Sequence, residues 1–120
     1  MKTILLSLII TTSLFSAPAF TKERELKNAD GTTFMAKAQG NQHLNWLITQ
    51  DGEILKYNQK SKNFEYAKIE KNELKASGVK YEKNNSKRAR AIGRVNKLNH
   101  QELYKLWGEK QKLHRSKFKH

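Results

Sequence analysis

An α+β fold is predicted: a small antiparallel β-sheet of four or five strands, a basic linker and a C-terminal amphipathic helix. Three observations predict it. Residues 31–67 alternate apolar and polar side chains between Asp-Gly turn signals, the period of a half-buried strand. Residues 98–118 carry apolar residues at helical spacing behind a recognisable start. Residues 82–97 do neither and instead crowd cations into a short stretch.

Asp30-Gly31 and Asp51-Gly52 mark tight turns, because glycine accepts positive φ and aspartate tolerates it. After the first, Thr32, Phe34, Ala36 and Ala38 alternate with Thr33, Met35 and Lys37. After Gly40, Leu44, Trp46 and Ile48 alternate with Asn45, Leu47 and Thr49. The second turn leads into a strand over 53–57, and a polar loop, 58–63, leads into another over 64–69. A turn at 70–72 precedes a short segment, Glu73 to Ala76, that ends at Gly78. The expected core is Phe34, Ala36, Leu44, Trp46, Ile48, Ile54, Phe64, Tyr66, Ile69 and Leu74. A sheet this small needs a cover on its apolar face.

The cover is the last element. Asn99 is a good N-cap, with Glu102 three residues on as in a capping box, and Leu98 and Leu103 hold the positions of a hydrophobic staple. Leu103, Leu106, Trp107, Leu113 and Phe118 share one face. The linker, by its composition, is either a weak helix cut at Gly93 or an extended arm.

The chain divides as a signal peptide over 1–19, a β-hairpin module over 20–81, a basic linker over 82–97 and the helix over 98–120. Lys2, the apolar Ile4–Phe15 run and Ala17-Pro18-Ala19 fit an export signal cleaved before Phe20. The run, about a dozen residues, is short for a bilayer span. A secreted or periplasmic location is therefore expected, with no transmembrane span after cleavage. The chain has no cysteine, which excludes disulfides, a thiol nucleophile and thiolate metal sites.

Charge is uneven. Residues 20–77 hold 10 Lys/Arg and 8 Asp/Glu, whereas residues 78–120 hold 13 and 3. A near-neutral front with a strongly basic back suits an anionic partner: an acidic protein face, an anionic envelope polymer or lipid, or nucleic acid. The export signal and the lack of a base-reading motif count against nucleic acid. For Lys87-Arg88-Ala89-Arg90 three readings stay open: a solvated linker, a contact for an acidic protein or anionic surface, and nucleic-acid binding.

Gly40-Asn41-Gln42-His43-Leu44-Asn45-Trp46, then Thr49-Gln50-Asp51-Gly52, then Phe64-Glu65-Tyr66-Ala67 together form a pattern. It resembles the N-terminal pro-region of secreted bacterial metalloproteases of the immune-inhibitor-A-like family. That pro-region has a similar order of an Asp-Gly turn, a glycine with a polar pair and an aromatic strand, a Thr-x-Asp-Gly turn and an aromatic-Tyr-Ala strand. A basic linker and amphipathic helix follow it, as residues 86–118 do here, so the resemblance spans nearly all of the chain after residue 19. It departs where the family has an aromatic after the second turn and this chain has Glu53-Ile54. The sequence also has no H-E-x-x-H, so the family's zinc-dependent hydrolysis has no residues to sit on. The resemblance implies a module that binds a protease, and inhibits or chaperones it in trans, or the remnant of a truncated protease.

The residues themselves suggest no enzyme. His43, His100, His114 and His120 lack the spacing of a metal pair and read as solvent-exposed. Asp51 and Glu53 read as solvated carboxylates with no nucleophile or base beside them. No G-x-S-x-G element and no phosphate-cradling loop are present. No cofactor, metal or catalytic residue is expected. Trp46 and Tyr66 read as core, and Trp107 either packs the helix on the sheet or anchors a partner. The expected partner-binding residues are Lys87, Arg88, Arg90, Arg94, Lys105, Trp107 and Lys112. The alternative function is a cationic binder of anionic envelope polymer or lipid.

Overall fold

The computed structural model describes residues 22–118, with side chains as far as Leu113. The export signal expected over 1–19 lies outside the described residues, as does His120. The elements are β1 (Glu23–Lys27), β2 (Thr33–Gly40), β3 (Asn45–Thr49), β4 (Ile54–Asn58), β5 (Asn63–Glu70), β6 (Glu73–Lys80), α1 (Ser86–Gly93) and α2 (His100–Phe118). The strands form one antiparallel sheet in the order β1-β2-β3-β4-β5-β6. The α+β class holds, but the sheet has six strands rather than four or five. The extra strand, β1, pairs with β2 from Glu23 opposite Lys37 to Lys27 opposite Thr33. Its sequence is charged at four of five positions, and such an edge strand gives no apolar alternation to read while resisting pairing with other sheet edges.

The turns follow their residues. Gly31 and Gly52 take φ values of +91° and +84°. Asp30 Oδ1 accepts the Thr32 amide at 3.0 Å, closing the first turn. Gly40 is a glycine for two reasons: its φ is +92°, and a Cβ there would lie 2.1 Å from the Leu44 carbonyl oxygen. Lys71 and Asn72 both have positive φ, the requirement of a two-residue hairpin turn. Strand β6 continues past Gly78 to Lys80, beyond the expected end. Its ladder with β5 slips between Glu65 and Ala67, and Gly78 donates its amide to Glu65 Oε1 at 2.9 Å. Glu65 is buried and also accepts from Asn58 Nδ2 at 3.0 Å and Ser61 Oγ at 2.7 Å, so three donors compensate for its lost water.

Both faces of the sheet are buried, which corrects the expectation of one apolar face. Adjacent residues fall in different cores: Trp46 and Leu47, Ile54 and Leu55, Ala67 and Tyr66. One core joins Leu44, Trp46, Ile54, Ala67 and Leu74 to Leu103 and Leu106 of α2. The other joins Phe34, Ala36, Leu55, Tyr66 and Tyr81 to Ala89 of α1. Of the ten expected core residues, Ile48, Phe64 and Ile69 are half-buried and the other seven are buried. The rings of Phe34 and Phe64 meet at 5.6 Å although β2 and β5 are not neighbours, so the sheet curls and the second core fills its concave side. Asn28 fastens the curl, its Oδ1 accepting the Phe64 amide at 2.8 Å, while Asn63 Oδ1 accepts the Ala29 amide at 2.9 Å.

Helix α2 starts directly after Asn99, the expected N-cap. Asn99 Oδ1 accepts the Gln101 amide at 2.7 Å, and Leu98 packs against the core that contains Leu103. Leu113, expected on the buried stripe, is exposed. Residues 82–97 contain a helix, the first of the two forms their composition left open, and it ends at Gly93. The left-handed residue of its C-terminus is Arg94 (φ 58°), with Val95 donating to the Arg90 carbonyl at 2.8 Å and Arg94 to that of Ala91 at 3.2 Å, a Schellman closure. Gly93 instead permits close approach to β6, since a Cβ there would sit 2.3 Å from Val79 Cγ2.

Candidate functional site

The site builds outward from the β3–β4 turn. Thr49 donates its amide to the Glu53 carbonyl at 3.0 Å and Gly52 donates to the Thr49 carbonyl at 3.0 Å. The turn thereby directs Asp51 and Glu53 toward the helices. Asp51 Oδ1 accepts from the Thr49 hydroxyl and from Tyr81 Oη at 3.1 Å. Its Oδ2 accepts from Ser86 Oγ at 3.4 Å, and Ser86 Oγ in turn accepts from Tyr66 Oη at 2.9 Å. Burial, followed by the negative charge of Asp51, pushes the Tyr81 phenol up to about 12. Burial likewise raises Tyr66. Both phenols stay protonated donors at neutral pH, which suits a fixed strut rather than a proton-transfer site.

Glu53 is not the solvated carboxylate its turn position suggests; its side chain is 5% exposed. Arg90 of α1 reaches it twice, Nη2 donating to Oε2 at 3.3 Å and Nε lying 3.1 Å from Oε1. The Nε contact is ionic without hydrogen-bond alignment. Lys97 Nζ lies 3.9 Å from Oε2. His100 Nε2 is 3.3 Å from the Gly52 carbonyl oxygen, a hydrogen bond in the tautomer protonated at Nε2. The Thr49–Gly52 motif is thus the point at which both helices are pinned to the sheet. The Gly40–Trp46 motif does the same for α2: Trp107 Nε1 donates to Asn41 Oδ1 at 3.0 Å, and the Trp46 and Trp107 rings meet edge to face at 5.5 Å.

These anchors sort the expected partner-binding residues. Arg90 is turned inward on Glu53, and Trp107 is half-buried against Trp46. Lys87, Arg88 and Arg94 are exposed on α1 and its end, and Lys105 and Lys112 are exposed along α2. Sequence reasoning missed Ile92, which stands out from α1 at 72% exposure, one turn from Arg88. An isolated apolar residue in a basic helix was legible, but which side of the helix faced the sheet was not. His43 and His100 are half-buried rather than exposed. Among the described residues no three His, Cys, Asp or Glu side chains come together to hold a metal ion. Nor is any described helix long and apolar enough to cross a membrane.

Comparison with known proteins returns no match: no family model, no curated protein and no solved structure matches the chain.

Proposed function

We propose that the protein is an exported, non-catalytic binding module, akin to a metalloprotease pro-region, whose α1 face engages an acidic surface on a protein partner. The observation that carries this reading is the split of α1 into two faces. Ser86, Ala89 and Arg90 fix it to the sheet, while Lys87, Arg88, Ile92 and Arg94 stand exposed, with Arg88 one turn from Ile92. Cations steer encounter with an acidic partner, and an apolar residue at the centre of the contact slows its release. A linker of solvated lysines would need no such anchoring. Trp107, used internally, leaves the role of apolar anchor to Ile92.

The test measures binding to the isolated catalytic domain of an immune-inhibitor-A-like protease. Wild-type protein should bind and slow peptide hydrolysis. Replacing Lys87, Arg88 and Arg94 with glutamine should lower the association rate and flatten its salt dependence. Ile92→Ala should mainly raise the dissociation rate. Binding confined to polyanions, tracking charge and ignoring Ile92, would replace this reading with that of a cationic binder of anionic envelope polymer.

A further inference from the structure

The concave side of the sheet is plugged by α1 at the end where Asp51 and Glu53 lie. At the opposite end of β3 and β4 lies a cleft of about 600 Å³ lined by Leu47, Lys56 and Tyr57, within the size range of small-molecule sites. Tyr57 stands at this mouth, 46% exposed. Its ring is braced by Phe64, with centroids 4.9 Å apart, so it presents a fixed aromatic face rather than a mobile one. Gln42 and Gln59 line the rim, both exposed, and neither side-chain amide is hydrogen-bonded among the described residues. Lys56 completes the site. Its ammonium donates to the Asn45 carbonyl at 2.9 Å and to Asn45 Oδ1 at 3.3 Å, and it has no carboxylate partner among the described residues.

We propose that this cleft binds a saccharide bearing a carboxylate. Each part of the ligand answers a part of the site. The C–H face of a sugar ring packs on a rigid aromatic, which offers area at low entropic cost. Free carboxamides, donors and acceptors at once, match the paired character of hydroxyl groups. A carboxylate takes the remaining donor of Lys56. Half-burial lowers the pKa of that lysine, the response of a cation short of compensating charge. An apolar peptide would leave the amides and the ammonium unmatched. The site shares no residue with the α1 face and stands independently of it.

Calorimetric titration with trigalacturonate and with its methyl ester, which lacks the charge, tests this. Wild-type protein should bind the acid about tenfold more tightly than the ester, the scale of one charge-assisted hydrogen bond. Lys56→Gln should abolish that preference and keep ester binding. Tyr57→Ala should weaken both ligands by about tenfold or more, and Gln59→Ala, at an exposed position, should weaken both to a smaller degree without touching the core. Lys87→Gln/Arg88→Gln should change neither. The proposal falls if neither ligand binds, or if binding follows Lys87 and Arg88 while ignoring Tyr57 and Gln59. It also falls if an uncharged apolar peptide competes for the cleft more strongly than the sugar.

Discussion

Removing Arg90 tests whether one ion pair holds α1 in place. Arg90→Ala leaves Glu53, 5% exposed, facing among the described residues only Lys97, which is itself half-exposed and 3.9 Å away. Breaking a buried pair from one side costs about 3–5 kcal/mol, because the surviving charge keeps its desolvation penalty. A domain of this size has a total stability of about 5–15 kcal/mol, so the loss is a large fraction of it. With a urea slope of about 1.5 kcal/mol/M, the unfolding midpoint should fall by about 2–3 M. The double variant Glu53→Leu/Arg90→Met buries neither charge and should recover most of the loss. Chemical denaturation followed by Trp fluorescence measures both. A midpoint shift below about 0.5 M for Arg90→Ala, at unchanged slope, would mean that solvent screens the pair and that Ser86 and Ala89 hold the helix without it.

Four further outcomes are expected. Gly40→Ala should cost at least about 1–3 kcal/mol from its positive φ alone, with the clash on the Leu44 carbonyl added; thermal unfolding checks it. Tyr81, neutral when protonated and raised from 10.0 to about 12, adds stability that is whole below pH 10 and lost as pH rises through about 12. Tyr81→Phe should remove that alkaline loss together with one late step in a tyrosinate titration. Asp30 is held well below the usual carboxylate range, first by its bond to Lys80 and then by Thr32. Its contribution is present above pH 3.8 and lost as pH falls through its depressed folded value, so the stability gap between wild type and Asp30→Asn should close in strong acid. Arg94→Gly should raise stability by about 0.5–1 kcal/mol by relieving the left-handed conformation, while slowing association with an acidic partner.

What the sequence made legible was local. Asp30-Gly31, Gly40 and Asp51-Gly52 each reported a backbone requirement through glycine, and Asn99 reported the start of α2 through its side chain. What it hid was long-range. Strand β1 has Leu26 as its one apolar residue and owes its place to pairing with β2. The contact between Arg90 and Glu53 spans 37 residues, and neither residue type announces a buried partner. Period-two reading favoured one buried face of each strand, so Leu55, Ala67 and Tyr81 went unassigned although all three are buried. The candidate site fared likewise. Its cations were plain in the composition, but the inward turn of Arg90 and the outward turn of Ile92 depend on how α1 lies against β6.

The meander has a consequence for how the chain reaches this structure. Every strand pairs with its neighbour in sequence, so each step of assembly closes a short loop at small entropic cost. The sheet should therefore form quickly and largely on its own. The slow step is left to the end of the chain, where α2 must settle over Trp46, Ile54 and Leu74. Until it does, an apolar surface stands bare, and a chain cut before Asn99 would be expected to collapse into aggregates rather than persist as a smaller domain.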